Sequence, residues 1–200
     1  ARPVGYAKNN ASANSTWQSR NMAVLGTLLL VFIATHMVNF WAKMHFSEMP
    51  LQTEKMNITT PMGVQQYDIH NTTDGAFVIV QQDEKGKAVY GDAALGQLEL
   101  KDGKDFYLGG VKIKQGYKDL YKITVDFFKD PTYGLAFTLF YVLSMAVLAF
   151  HLSHGFRSAF QSLGANNPKY NGLINVLGLG FAYIVPLLFA IIPIYLHFIK

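Results

Sequence analysis

Two histidines stand where an ionisable ring is costly. His36 and His151 each lie within a long, charge-free apolar run, whereas His45 and His70 fall in polar sequence and His197 lies near the last residue. In lipid such a group costs about 2–3 kcal/mol unless something partners it, so it is a functional candidate by default. A proton relay wants a carboxylate beside its histidine, and all 13 acidic residues lie between Glu48 and Asp130, outside the apolar runs. A neutral imidazole that ligates haem iron needs no carboxylate and suits an apolar wall. The plain alternative is an imidazole hydrogen-bonded to a neighbouring helix. Cysteine is absent, which excludes disulfides, cysteine-bound zinc and cysteine-ligated iron–sulfur clusters in this chain.

The elements that would position these rings follow from the apolar runs. Asn21–Ala42, Pro131–Phe156 and Tyr170–Ile199 carry no charge. Each meets the roughly 20 residues a helix needs to cross a bilayer, and lipid leaves helix as the natural choice for the backbone. The predicted fold is therefore an all-α transmembrane bundle of three spans, with a polar, partly β insert between the first and second. The segments are 1–20 (cytoplasmic), 21–42 (span), 43–130 (insert), 131–156 (span), 157–169 (cytoplasmic loop) and 170–199 (span). Asp130-Pro131 has the form of a helix N-cap and first residue, Asn21 is a candidate cap for the first span, and Pro186 and Pro193 should kink the third.

The net charge of +4 sums an acidic middle and basic flanks. Arg2, Lys8 and Arg20 precede the first span, and Arg157 and Lys169 separate the second from the third. Alternating spans put both groups on one side, which the positive-inside rule makes cytoplasmic, so that the insert faces outward. In the insert, Gly75–Gln81 and Lys87–Tyr90 read as strands joined around Asp83–Gly86. A hairpin is predicted at Asp102-Gly103, and Leu120, Tyr121, Val125, Phe127 and Phe128 have the spacing of an amphipathic, interfacial helix. His45 and His70 read as surface residues and His197 as interfacial.

Depth separates the two candidate ligands. His36 is 15 residues into a span that runs outward, about 22 Å from its start, and His151 lies near the inner end of a span that runs back. They should differ by about 15–20 Å in depth, whereas axial ligands of one iron sit only about 4 Å apart. The expectation is two haems, each taking a second ligand from another helix. His154 and Arg157 share a face with His151. His154 has three readings: second ligand, propionate partner or interfacial residue. Arg157 and Arg20 would each neutralise a haem propionate or simply mark the positive side.

The run from Ala149 to Gly164, AFHLSHGFRSAFQSLG, resembles the fourth helix and following turn of the cytochrome b subunit of bacterial succinate dehydrogenases and fumarate reductases, of the single-subunit, five-helix, di-haem b558 family. Phe32–Trp41, FIATHMVNFW, resembles its third helix. That resemblance covers the chain except its insert, which is longer than in compact members. It implies His36 as ligand of the haem far from the soluble subunits and His151 as ligand of the near one, with partners from the first and second helices. Those two helices are missing here, so the sequence is expected to be incomplete at its N-terminus or completed by a second membrane chain. The resemblance further implies haem b as cofactor, menaquinone as substrate, and flavoprotein and iron–sulfur subunits as partners on the cytoplasmic face of a bacterial inner membrane. The quinone site is not placed by these residues. Two other readings stay open: a di-haem anchor of a different dehydrogenase, and a haem-free structural anchor.

Overall fold

The computed structural model describes residues 15–47, 49–60, 63–92, 94–164 and 167–199, and the side chain of Arg157 lies outside that description. Arg2, Lys8 and most of the expected cytoplasmic N-terminal segment also lie outside the described residues. Two compact units are formed, Ala1–His36 with Phe127–Lys200, and Met37–Asp126.

In the helical unit, a short helix α1 (Trp17–Arg20) leads into α2 (Met22–His36). Thr16 caps α1 by accepting from the Ser19 N–H. Asn21 does not cap the next helix as expected. Its side-chain amide donates to the Trp17 carbonyl at 2.8 Å, so it closes α1 instead. Beyond α2 the helix continues as a π-helical stretch, Met37–Ala42, and a last turn α3 (Lys43–Phe46). Helix α4 (Leu120–Phe128) precedes the two long helices α5 (Gly134–Ser162) and α6 (Pro168–Phe198). Among the described residues, three helices are long and apolar enough to cross a membrane: Met22–Phe46, α5 and α6.

Asp130 acts as predicted, one turn before the regular helix. Its carboxylate accepts from the N–H groups of Thr132 and Tyr133. The expected cytoplasmic loop 157–169 is a correction. Helix α5 continues through Arg157 to Ser162, Gly164 closes it at φ 74°, and α6 starts at Pro168 with Asn167 as its cap. Loss of apolar character ends the likeness to lipid, but Ser158–Ser162 has no helix breaker, so the backbone stays helical. Helix α6 runs on through Pro186 and Pro193 without interruption.

Helix α5 packs against both α2 and α6. On α6, Gly178, Ala182, Pro186 and Ala190 recur every fourth residue and are buried. Thr138, Tyr141, Met145 and Ala149 are buried on α5. Small residues at this spacing let two backbones approach closely, which is how apolar helices associate where no hydrophobic force separates helix from lipid.

The second unit carries a seven-stranded antiparallel meander in sequence order: β1 (Thr53–Thr60), β2 (Gly63–Asn71), β3 (Phe77–Gln82), β4 (Ala88–Asp92), β5 (Gly96–Lys101), β6 (Asp105–Leu108) and β7 (Val111–Gln115). The β3–β4 and β5–β6 hairpins fall where the sequence places them. Asp102 and Gly103 both take positive φ, the geometry of a tight primed turn. Strands β1, β2 and β7 are additional. Leu51, Val78, Leu98 and Phe106 form the core of one sheet face. The ends of the module are fastened together: Asp119 N–H donates to the Pro50 carbonyl at 2.8 Å, and Gln52 N–H to that of Tyr117 at 2.8 Å. Lys114 and Asp92 form an ion pair of 2.5 Å, largely removed from solvent.

Candidate functional site

The candidate ligands face the α2–α5 seam at its two ends. The His36 ring lies 5.8 Å from Phe32, on its own helix, and 5.9 Å from Tyr141 on α5. At the other end, a Cβ placed on Gly26 of α2 would lie 3.7 Å from Cε1 of His151. The absence of a side chain at Gly26 therefore leaves the His151 ring against the helix backbone. His36 is thus level with Tyr141, and His151 with Gly26. Those levels are ten residues apart on each helix (26 to 36, 141 to 151), about 15 Å at 1.5 Å per residue. One iron cannot take both rings.

Their surroundings differ. Tyr141 is buried and anchors an aromatic cluster with Phe32, Phe127 and Phe128, at ring distances of 5.2, 5.8 and 5.1 Å. Phe127 stacks on Phe137 at 4.2 Å, which fastens the end of α4 to α5. His36 itself is exposed on the surface of the described bundle. His151 is half-buried, and its Nδ1 is buried with no hydrogen-bond partner among the described residues. An orphaned buried nitrogen carries a desolvation cost of about 1–3 kcal/mol, so packing alone does not account for an imidazole at that position. No group of three or more His, Cys, Asp or Glu side chains suited to a metal ion occurs among the described residues. One imidazole at each level fits a haem whose other axial ligand comes from a different helix.

The remaining predicted site residues separate. His154 lines a polar cavity with Thr16 and Gln18, Ser158 and Gln161 of α5, and Tyr183 of α6. Arg20 donates from its guanidinium to the Ser15 carbonyl at 2.5 Å and is exposed. Arg157 belongs to α5, with its side chain outside the described residues. No family model, no curated protein and no solved structure matches the chain.

Three further histidines have local roles. Nδ1 of His197 donates to the Phe128 carbonyl at 2.6 Å and ties α6 to the end of α4. Gly134 makes room there, since a Cβ on it would lie 2.5 Å from that same oxygen. His45 bonds the Trp41 carbonyl at 2.8 Å. His70 is not a simple surface residue. It is half-buried against Tyr90 and Phe106 and bonds Thr53 Oγ1 at 3.1 Å, and burial pushes its pKa below the ordinary histidine value. Sequence reasoning missed Gly26, Tyr141 and Tyr183. The stripe His154, Ser158, Gln161 was detectable from i, i+4, i+7 spacing. Nothing local marks Tyr183 within an apolar run.

Proposed function

We propose that this chain is the haem b-carrying membrane anchor of a bacterial succinate:quinone oxidoreductase, passing electrons between an iron–sulfur subunit and a membrane quinone, while a partner flavoprotein performs the dicarboxylate chemistry. The observation that carries the reading is the placement of His36 and His151 at opposite ends of one helix seam, about 15 Å apart in level. It is what two stacked haems require, and it agrees with the likeness of Phe32–Trp41 and Ala149–Gly164 to the third and fourth helices of the b558 family. The orphaned Nδ1 of His151 supports a role beyond packing.

In this reading His36 and His151 would each hold one haem, which when bound would supply one-electron transfer. The chain contributes ligand identity, spacing and an apolar surround, the levers that set haem potentials. The aromatic cluster around Tyr141 would hold the His36 side of the site, and Gly26 would let α2 close on the His151 side. The side of the membrane that carries Arg20 and Arg157 is cytoplasmic and docks the soluble subunits, and the β module faces the periplasm. The test is a reduced-minus-oxidised spectrum with the haem-to-protein ratio of the complex purified through this chain. His36→Ala and His151→Ala should each remove a different haem. Absence of any b-type band in the wild-type complex, or equal loss of both haems from either single change in a folded protein, rejects the reading.

A further inference from the structure

Phe128 is held at both ends. It closes α4, and a carbonyl in the last turn of a helix has no partner within that helix. Phe128 is buried, which leaves water little access to that oxygen. The partner is Nδ1 of His197, 69 residues along the chain, which donates to it at 2.6 Å. The first turn of α5 passes the same spot: a Cβ on Gly134 would lie 2.5 Å from the oxygen and 3.1 Å from the carbonyl carbon. The ends of α4 and α6 and the start of α5 therefore meet at one peptide group, and a side chain at position 134 would block the meeting. At its other end the Phe128 ring meets Tyr141 edge-on at 5.1 Å, and Phe127, stacked on Phe137 at 4.2 Å, meets the same tyrosine at 5.8 Å. Tyr141 in turn lies 5.9 Å from His36 and 5.2 Å from Phe32, the ring that flanks His36 on its own helix. Phe127, Phe128 and Tyr141 are all buried. Close-packed rings leave one another little spare volume, so displacing one displaces its neighbours.

We infer that His197 is a positioning residue for His36. It acts at a distance, through the Phe128 peptide. Holding that peptide sets where the Phe127 and Phe128 rings press on Tyr141, and Tyr141 is the ring that α5 sets against the imidazole. The device needs a proton on Nδ1 of His197, because a carbonyl oxygen only accepts. His151, level with Gly26 and about 15 Å along the seam, is outside this cluster, so the effect is confined to His36. The inference rests on the proposed function only for calling His36 a haem ligand. The packing acts on the imidazole whether or not it holds iron.

The test is solid-state NMR of the purified, reduced complex in lipid, made with isotope-labelled histidine. The His36 and His151 ring signals are assigned by their loss in His36→Gln and His151→Gln. His197→Phe keeps a ring and removes the donor. It should move the His36 ring signals beyond their linewidth and leave those of His151 in place. His197→Asn returns an N–H to an atom bonded to Cγ, the place of Nδ1, and should bring the His36 signals back. Phe128→Leu keeps the carbonyl and its hydrogen bond but removes the ring, so it should move the same signals even if His197→Phe fails to fold. Unmoved His36 signals in a folded His197→Phe or Phe128→Leu complex, equal movement of the His36 and His151 signals, or no recovery in His197→Asn overturns the inference. A wild-type complex with b-type bands whose His36 signals ignore position 197 rejects this inference alone. A His36 response in a complex without haem rejects the proposed function and leaves the positioning role standing.

Discussion

Gly178 gives the sharpest test of how α5 and α6 meet. A Cβ on Gly178 would fall inside the Phe156 ring envelope, with Cε1 at 3.0 Å and Cγ at 3.2 Å. Ordinary carbon contacts lie at about 3.5–4.0 Å. Phe156 has little room to yield, because its ring already meets Phe160 at 5.0 Å and Phe181 at 5.9 Å. Overpacking of this kind costs about 1–3 kcal/mol, offset by up to about 1 kcal/mol of helix propensity on replacing glycine by alanine. Gly178→Ala should therefore destabilise the helix pair by about 1–2 kcal/mol. Gly180→Ala, two residues on, meets nothing within 4 Å and should be neutral or slightly stabilising. Steric trapping of the unfolded state in bicelles reads the difference. Adding Phe156→Ala should make Gly178→Ala nearly harmless, a coupling of about 1–2 kcal/mol in a double-mutant cycle. Equal stability of the two alanine variants, or strict additivity in the cycle, would refute the packing described.

At the other seam, Gly26→Ala should be tolerated, because the added methyl sits in ordinary contact at 3.7 Å from His151. On the proposed reading, Gly26→Leu should displace the ring and remove only the haem assigned to His151, seen as partial loss of the b-type band; an undiminished b-type band would count against the assignment. In the β module, the Lys114 ammonium hydrogen-bonded to Asp92 holds that carboxyl below the ordinary aspartate range. Its stabilisation is complete above about pH 4–5 and is lost as pH falls through the lowered folded value. His70, also lowered, charges more readily when unfolded, so its contribution is full above about pH 6.5 and declines below that. Hydrogen exchange of strand amides, corrected for intrinsic rates, should show two acid-sensitive steps, and His70→Gln should erase the upper one. Asp92→Asn should cost about 2 kcal/mol, between the values for exposed and buried ion pairs, with loss of the lower step; unchanged pH dependence in that variant would separate the pair from module stability.

The spans were legible because charge is excluded from them, and the depth difference between His36 and His151 followed from helix rise alone. The Asp102-Gly103 turn was legible because only a few residue types accept positive φ. Strands β1 and β2 were not, since TEKMNITT and GVQQYDIHN expose most of both faces and so lack the alternation that marks a half-buried strand. The π-helical stretch MVNFWA carries no local signal: its composition suits an α-helix as well. The end of α5 was misplaced because apolar content and helical backbone stop at different residues. The polar cavity depends on α1, α5 and α6 coming together, and no spacing within a single helix reports that.

Because Pro50 and Asp119 share a hydrogen bond, the chain leaves the β module almost where it came in. A domain whose two ends coincide can be spliced into, or out of, a tight turn with little strain on what flanks it. The helical framework on either side is thereby free to keep its own geometry while the module varies in size, and a short glycine-rich bridge in place of residues 51–118 becomes a practical way to study the bare scaffold.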